Sequence, residues 1–156
     1  MMSKRISYRL LQHTDLPSMM VIEHAANALP WSQSAMTLTM EAEHHQTWGI
    51  FLNEQLIGFA VIARVLDEAE LLNIVISPQM QRQGYGAQLL QYVIMQLHAL
   101  GVTQVFLEVR QSNVSALALY QQLGFEQTGI RRAYYPLPQT ALREDAILMA
   151  KRHFLA

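Results

Sequence analysis

Cysteine is absent from the chain. That absence removes a disulfide framework, a thiolate metal site and an acyl-cysteine intermediate together. A surplus of either charge is missing too. With a formal net charge of −1 at pH 7, bulk charge offers neither the basic footprint of a nucleic-acid binder nor the acidity of a disordered tail. No apolar run reaches the length of a membrane span. The start, Met-Met-Ser-Lys-Arg, is polar and has no signal-type apolar segment. A cytoplasmic protein without membrane or nucleic-acid partners is therefore expected. Metal-ligand spacing is also wanting. His44 and His45 are adjacent, so they cannot share a helix face, and no third ligand is suitably spaced. They read as surface residues, and no metal is expected. What is present is a chain of 156 residues, half of them hydrophobic, enough for one domain over 1–156 with an unstapled core. The nine methionines read as adaptable core filler.

Hydrophobic period and punctuation outline the elements. Ile6 to Gln12 alternates like a half-buried strand, and Thr14-Asp15 is placed to cap a helix running to about Ala28, with Pro17 in its first turn and Met19, Met20 and Ile22 toward the core. Leu29-Pro30 stops it. Ser32 is an N-cap for a second helix to about Glu43, with Met36 and Met40 on one face. Trp48–Leu52 and Leu56–Val65 form a hairpin across Asn53-Glu54-Gln55. Asp67-Glu68-Ala69-Glu70 reads as an acidic connection, either a solvated turn or a steering patch for a basic peptide. It leads to Leu71–Ile76, a strand apolar on both faces and hence central. Beyond a turn, Leu90, Val93, Leu97 and Leu100 step at helical spacing before Gly101, and Val102–Arg110 is again a strand. Strand, crossover helix and strand imply a parallel pair whose mouth, at the carboxyl ends, is the expected active site. Ser112-Asn113 caps a helix from Val114 to Leu123, closed by Gly124, and strands follow over Glu126–Ala133 and Glu144–Ala150. The loop between them carries Tyr134-Tyr135-Pro136-Leu137-Pro138.

The turn after the central strand is Gln81-Arg82-Gln83-Gly84-Tyr85-Gly86-Ala87. A strand-to-helix turn leaves backbone N–H groups without intrahelical partners, pointing along the positive end of the helix dipole. Glycine without a Cβ allows positive φ and lets a diphosphate approach those amides. An ordinary loop and cap would have the same composition. The P-loop pattern fails here for want of Lys-Ser or Lys-Thr after the second glycine, and the dinucleotide fingerprint fails because Leu89 stands where a small residue is needed.

Glu108 lies in Val105-Phe106-Leu107-Glu108-Val109-Arg110. A carboxylate among apolar neighbours is costly without a partner or a task. Two readings stand: an ion pair with Arg110, two residues on and on the same face, or a general base.

Gln-x-x-Gly-x-Gly after an apolar strand resembles the pyrophosphate loop of the GCN5-related N-acetyltransferases, which bind acetyl-coenzyme A. Asn113, Ala116, Tyr120, Gly124 and Phe125 match a second, more specific signature of that superfamily, Asn-x-x-Ala-x-x-x-Tyr-x-x-x-Gly-Phe. The resemblance implies an α/β fold with a mixed central sheet of about six to seven strands, helices on both faces, and a central parallel pair forming the coenzyme cleft. It implies that the pantetheine arm pairs with the main chain of Ile74, Val75 and Ile76 and that Asn113 contacts the coenzyme nearby. Tyr120 would protonate the departing thiolate, which a phenol can do; the alternative is a core tyrosine beside Leu117 and Leu123. Trp31, Tyr134 and Tyr135 become candidate walls of the acceptor pocket, although a tryptophan such as Trp31 is also a natural core residue.

Asp67-Glu68-Ala69, Arg131-Arg132 before Tyr134-Tyr135-Pro136, and Arg143-Glu144-Asp145-Ala146 narrow the resemblance to the RimI-type ribosomal-protein-alanine N-acetyltransferases. That branch acetylates the N-terminal alanine of small-subunit ribosomal protein S-eighteen, so the implied partner is a protein N-terminus. The pKa values lean the same way. An α-amine titrates near 7.7–8.0 and a lysine near 10.4, so neutralising lysine at pH 7 costs roughly 3.5 kcal/mol more. The alternatives are an acetyltransferase for lysine or a small amine, and a non-catalytic acyl-coenzyme A sensor, which would not need both Glu108 and Tyr120.

Overall fold

A computed structural model describes residues 3–152. Met1 and Met2 of the polar start, and with them the outer limits of the expected 1–156 domain, lie outside the described residues. Seven strands make one sheet: β1 (Ile6–Leu10), β2 (His45–Leu52), β3 (Gln55–Val65), β4 (Glu68–Ile76), β5 (Gln104–Arg110), β6 (Glu126–Pro136) and β7 (Arg143–Arg152). Their spatial order is β1-β2-β3-β4-β5-β7-β6. Every neighbouring pair is antiparallel except β4 and β5. Those two are joined by the crossover helix α3 (Tyr85–Ala99), the connection that a parallel pair requires. The helices α1 (Leu16–Ala26) and α2 (Gln33–Glu41) cover one face; α3 and α4 (Val114–Gln122) cover the other. The mixed sheet with helices on both faces is the architecture anticipated.

Local chemistry explains most of the boundaries. Pro17 sits in the first turn of α1, where no helical acceptor awaits its nitrogen. Met19 and Ile22 below it are buried. The Ser32 hydroxyl accepts from the Ala35 N–H and starts α2. Asp15 differs from expectation, because its carboxylate takes the Arg9 guanidinium and the Gln12 N–H and leaves α1 uncapped by a side chain. Along α3, Leu89, Leu90, Val93 and Leu97 are buried, each adding about 1.5–3 kcal/mol. Leu100 does not join them: it follows the last helical residue and is half exposed. Among the described residues, no helix is long and apolar enough to cross a membrane.

Two features of the sheet shape the site. The acidic stretch Glu68–Glu70 is the first part of β4 rather than a connection; the turn is only Leu66-Asp67, and Leu66 has a φ of +55°. Parallel pairing then spans just Glu68–Leu71 against Gln104–Leu107. At Leu72 the β3–β4 register slips, since Ile62 faces Leu71 and Val61 faces Asn73. Such an extra residue bends a strand. Beyond it Ile74, Val75 and Ile76 stay paired to β3, while β5 continues against β7 to Arg110. The strands part, and the β5-facing edge of β4 is open.

Candidate active site

The opening between β4 and β5 leads into a cavity of about 910 Å³. Asn27, Leu29 and Trp31 line one side, Asn73 to Ile76 the strand edge, and Gln81, Arg82 and Gly84 to Ala87 the turn. Glu108, Asn113, Tyr120 and Tyr135 close it. Gln83 and Tyr134 stand outside that lining. The Gln83 amide donates to the Gln79 carbonyl at 3.2 Å, and the Arg131 guanidinium lies 4.8 Å from the centre of the Tyr134 ring.

The turn is held by side-chain hydrogen bonds. Gln81 Nε2 donates to the Ile76 carbonyl at 2.9 Å and pins the turn to the end of β4. Among the described residues, no hydrogen bond engages the main-chain N–H groups of Arg82 to Ala87. Positive φ occurs at Arg82 (+62°) and Gly84 (+86°), not at Gly86, which is already helical. A Cβ on Gly84 would meet nothing within 4 Å, so the space beside that residue is open. On Gly86 it would touch Ile76 and Leu119 at ordinary contact distance. The left-handed backbone of the turn therefore falls at Arg82 and Gly84, and Gly86 is an ordinary helical position.

Across the opening, Glu108 is paired, but not with Arg110. Its carboxylate meets Arg131 of β6 at 2.9 Å. Arg110 instead donates to the Pro136 carbonyl at 2.8 Å, lies 3.7 Å from Glu144 and stacks 4.7 Å from the centre of the Tyr135 ring. The reason is the irregular edge of β6. Between Arg131 and Tyr135 its register to β7 slips, around Ala133 at φ +49°, whose N–H donates to Asp145. Tyr134, Tyr135 and Pro136 are thus part of a kinked strand rather than a loop. Glu70 shares the neighbourhood: its carboxyl is raised by burial and then by the charge of Glu108, against an opposing pull from Arg131.

Tyr120 is buried and packs edge-on against Phe125. Burial, and then the neighbouring Tyr135, push its phenol up to about 12. Tyr135 is likewise pushed up to about 12, by burial, Glu108 and Tyr134 in that order. Both hydroxyls keep their protons at neutral pH. A proton-holding phenol and a carboxylate in one cavity with an array of open amides can bind a diphosphate, accept a proton and donate one.

The family model for the acetyltransferase (GNAT) family matches residues 16–125, which contain the turn, Glu108 and the Asn113–Phe125 signature. The chain belongs to the GNAT acetyltransferase family. This GNAT chain is 45% identical over 140 residues to the [ribosomal protein bS18]-alanine N-acetyltransferase of Escherichia coli, covering 90% of its own length and 93% of that protein's. It is 36% identical over 110 residues to the N-alpha-acetyltransferase RimI of Mycobacterium tuberculosis, covering 68% of each. Its fold matches the crystal structure of the ribosomal-protein-S18-alanine N-acetyltransferase from Escherichia coli with a TM-score of 0.91 and 42% identity, over 97% of this chain and 96% of that one.

Several residues that contact or neighbour the cavity lining carried little signal in the sequence. Arg131, the partner of Glu108, was visible only as part of Arg131-Arg132, and Glu70 only as part of an acidic run. Glu23 carried a usable signal: it falls three to four residues after Met19 and Met20, on the buried stripe of α1, where a carboxylate calls for an explanation. Among the described residues, no three His, Asp or Glu side chains gather as a metal site.

Proposed function

We propose that this chain transfers the acetyl group of acetyl-coenzyme A to the α-amine of the N-terminal alanine of small-subunit ribosomal protein bS18. The observation that carries this reading is the shared cavity: open turn amides and an unpaired strand edge on one side, Glu108 and Tyr120 on the other. The N–H groups without a hydrogen-bond partner among the described residues, and the open space beside Gly84, suit a diphosphate. Main-chain groups of Ile74, Val75 and Ile76 would hold the pantetheine as an added strand, with Asn113 beside it. Acetyl-coenzyme A supplies the thioester. Glu108 takes the proton of the incoming amine, directly or through water, as the C–N bond forms. Tyr120 donates to the sulfur as the C–S bond breaks. A phenol near 12 is a weaker acid than a thiol near 8.5, so its help is a hydrogen bond to the leaving sulfur rather than a lasting phenolate. Trp31, Tyr135 and the adjoining 370 Å³ cavity, which shares Asn27, Leu29, Arg110 and Asn113 with the first, would receive the acceptor chain. Tyr134 acts through Arg131, whose guanidinium it packs.

The similarity to proteins named as bS18-alanine N-acetyltransferases supports the choice of acceptor. The rival of a non-catalytic sensor gives no reason for Glu108 and Tyr120 to share the cavity. The test offers acetyl-coenzyme A with alanine-first peptides, lysine peptides with blocked N-termini, and polyamines, read by mass spectrometry. Acetylation of the free alanine amine is expected. Acetylation confined to lysine or polyamine would overturn the assignment.

A further inference from the structure

Glu23 lies in the last turn of α1 and has no accessible surface. A carboxylate in that setting needs donors, and three N–H groups supply them. Oε1 accepts from Asn73 Nδ2 at 3.1 Å, and Oε2 accepts from Asn27 Nδ2 at 3.1 Å and from the Trp31 main-chain N–H at 2.9 Å. Asn27 passes the constraint on, because its own Oδ1 accepts from the Leu29 N–H at 3.1 Å. Among the described residues, no ion pair includes Glu23. Stability alone does not call for this arrangement, since an apolar side chain fills a core position without the desolvation cost of a carboxylate.

The donors share one property. Asn27, Trp31 and Asn73 all line the large cavity, and so does Leu29. Asn73 also follows directly on Leu72, the extra residue at which β4 turns away from β5. Residues 27–31 have no regular structure, and among the described residues the hydrogen bonds that hold them end on Glu23 or on Asn27 itself.

We propose that Glu23 is the positioning residue of the acceptor side. Its carboxylate ties the loop between α1 and α2 to the bent part of β4, and so sets the distance between the wall that receives the amine and the strand edge that presents the acyl donor. Glu23 touches neither substrate. This assignment rests on the cavity being the site of acetyl transfer.

The experiment compares the full chain with Glu23→Ala and Glu23→Gln, using acetyl-coenzyme A and a peptide with a free N-terminal alanine. Glu23→Ala should raise the acceptor KM about tenfold while the acetyl-coenzyme A dissociation constant moves less than about twofold. Glu23→Gln should regain most of that loss, because its carbonyl can serve Asn27 and Trp31 while its NH₂ meets a turned Asn73 amide. Hydrogen exchange at the Trp31 amide should quicken about tenfold in Glu23→Ala and far less in Glu23→Gln. If Glu23→Ala does not fold, Asn27→Ala takes its place, removing the links to Glu23 and Leu29 together, with the same direction expected in acceptor KM and Trp31 exchange. An unchanged acceptor KM in the folded variant, an equal loss of both substrates, or unchanged Trp31 exchange would overturn the proposal. A wild-type chain that leaves alanine N-termini unmodified overturns the functional reading instead, and the exchange at Trp31 still decides whether Glu23 holds the loop.

Discussion

The two sides of the cavity are built from different parts of the chain. On the side proposed for the acetyl donor, the turn after β4 offers main-chain N–H groups, with left-handed backbone at Arg82 and Gly84, and the strand edge offers more main chain. On the side proposed for the acceptor, side chains hold the wall together: Glu23 grips Trp31 and Asn73, and Arg131 grips Glu108. Main-chain recognition tolerates many side chains, so it suits a cofactor that does not vary. Side-chain scaffolding can be altered residue by residue, so it suits a wall whose partner differs between enzymes of one fold.

That contrast can be broken by experiment. The largest effect is expected at the two proposed reacting groups, Glu108 and Tyr120. Tyr120→Phe and Glu108→Gln should each lower kcat by about 10²–10⁴ with little change in coenzyme affinity. Steady-state rates beside donor titration check this, and a Tyr120→Phe enzyme of normal turnover would remove its role as donor. Next comes the donor side alone. Gly84→Trp fills the space before the amides and forces a side chain into a left-handed position, so donor affinity should fall about a hundredfold, the worth of two or three amide bonds. Calorimetric titration reads it, and normal affinity would place the diphosphate elsewhere.

The smallest effect concerns the scaffold behind the acceptor side. The Ser112 main-chain N–H, helped by the Ser112 hydroxyl and Arg110, holds the Glu144 carboxyl below its ordinary 4.5 against the opposing push of burial. A carboxyl lowered on folding stabilises the fold above pH 4.5, and that contribution is lost as pH falls through the folded value. Glu144→Gln should therefore cost about 1 kcal/mol at pH 7 and less at pH 3. Urea unfolding at the two pH values decides it, and an equal deficit at both would mean that the charge of Glu144 is not what matters.

The same contrast separates what could be read in advance from what could not. The hairpin at Asn53-Glu54, the Ser32 cap, the stripe of α3 and the glycine ends at Gly101 and Gly124 all rest on interactions within a few residues, and all are present. The partner of Glu108, however, lies outside its own strand. Arg110 is the nearest cation in sequence on that face, yet the kink in β6 delivers Arg131 from 23 positions away. Likewise, Leu72 looked like any other apolar strand residue, and only its opposition to β3 shows it to be surplus.

By itself, the order of residues determined the alternation of helix and strand, the parallel central pair and the phosphate-type turn, because period, capping and positive φ are decided by near neighbours along the chain. The tertiary structure alone decided where β4 and β5 separate, which cation meets Glu108, and that Glu23 joins α1 to Asn73 across 50 residues. Those contacts come from distant segments meeting at a bulge or a kink, and a packing solution for the whole sheet is needed before either irregularity has a place.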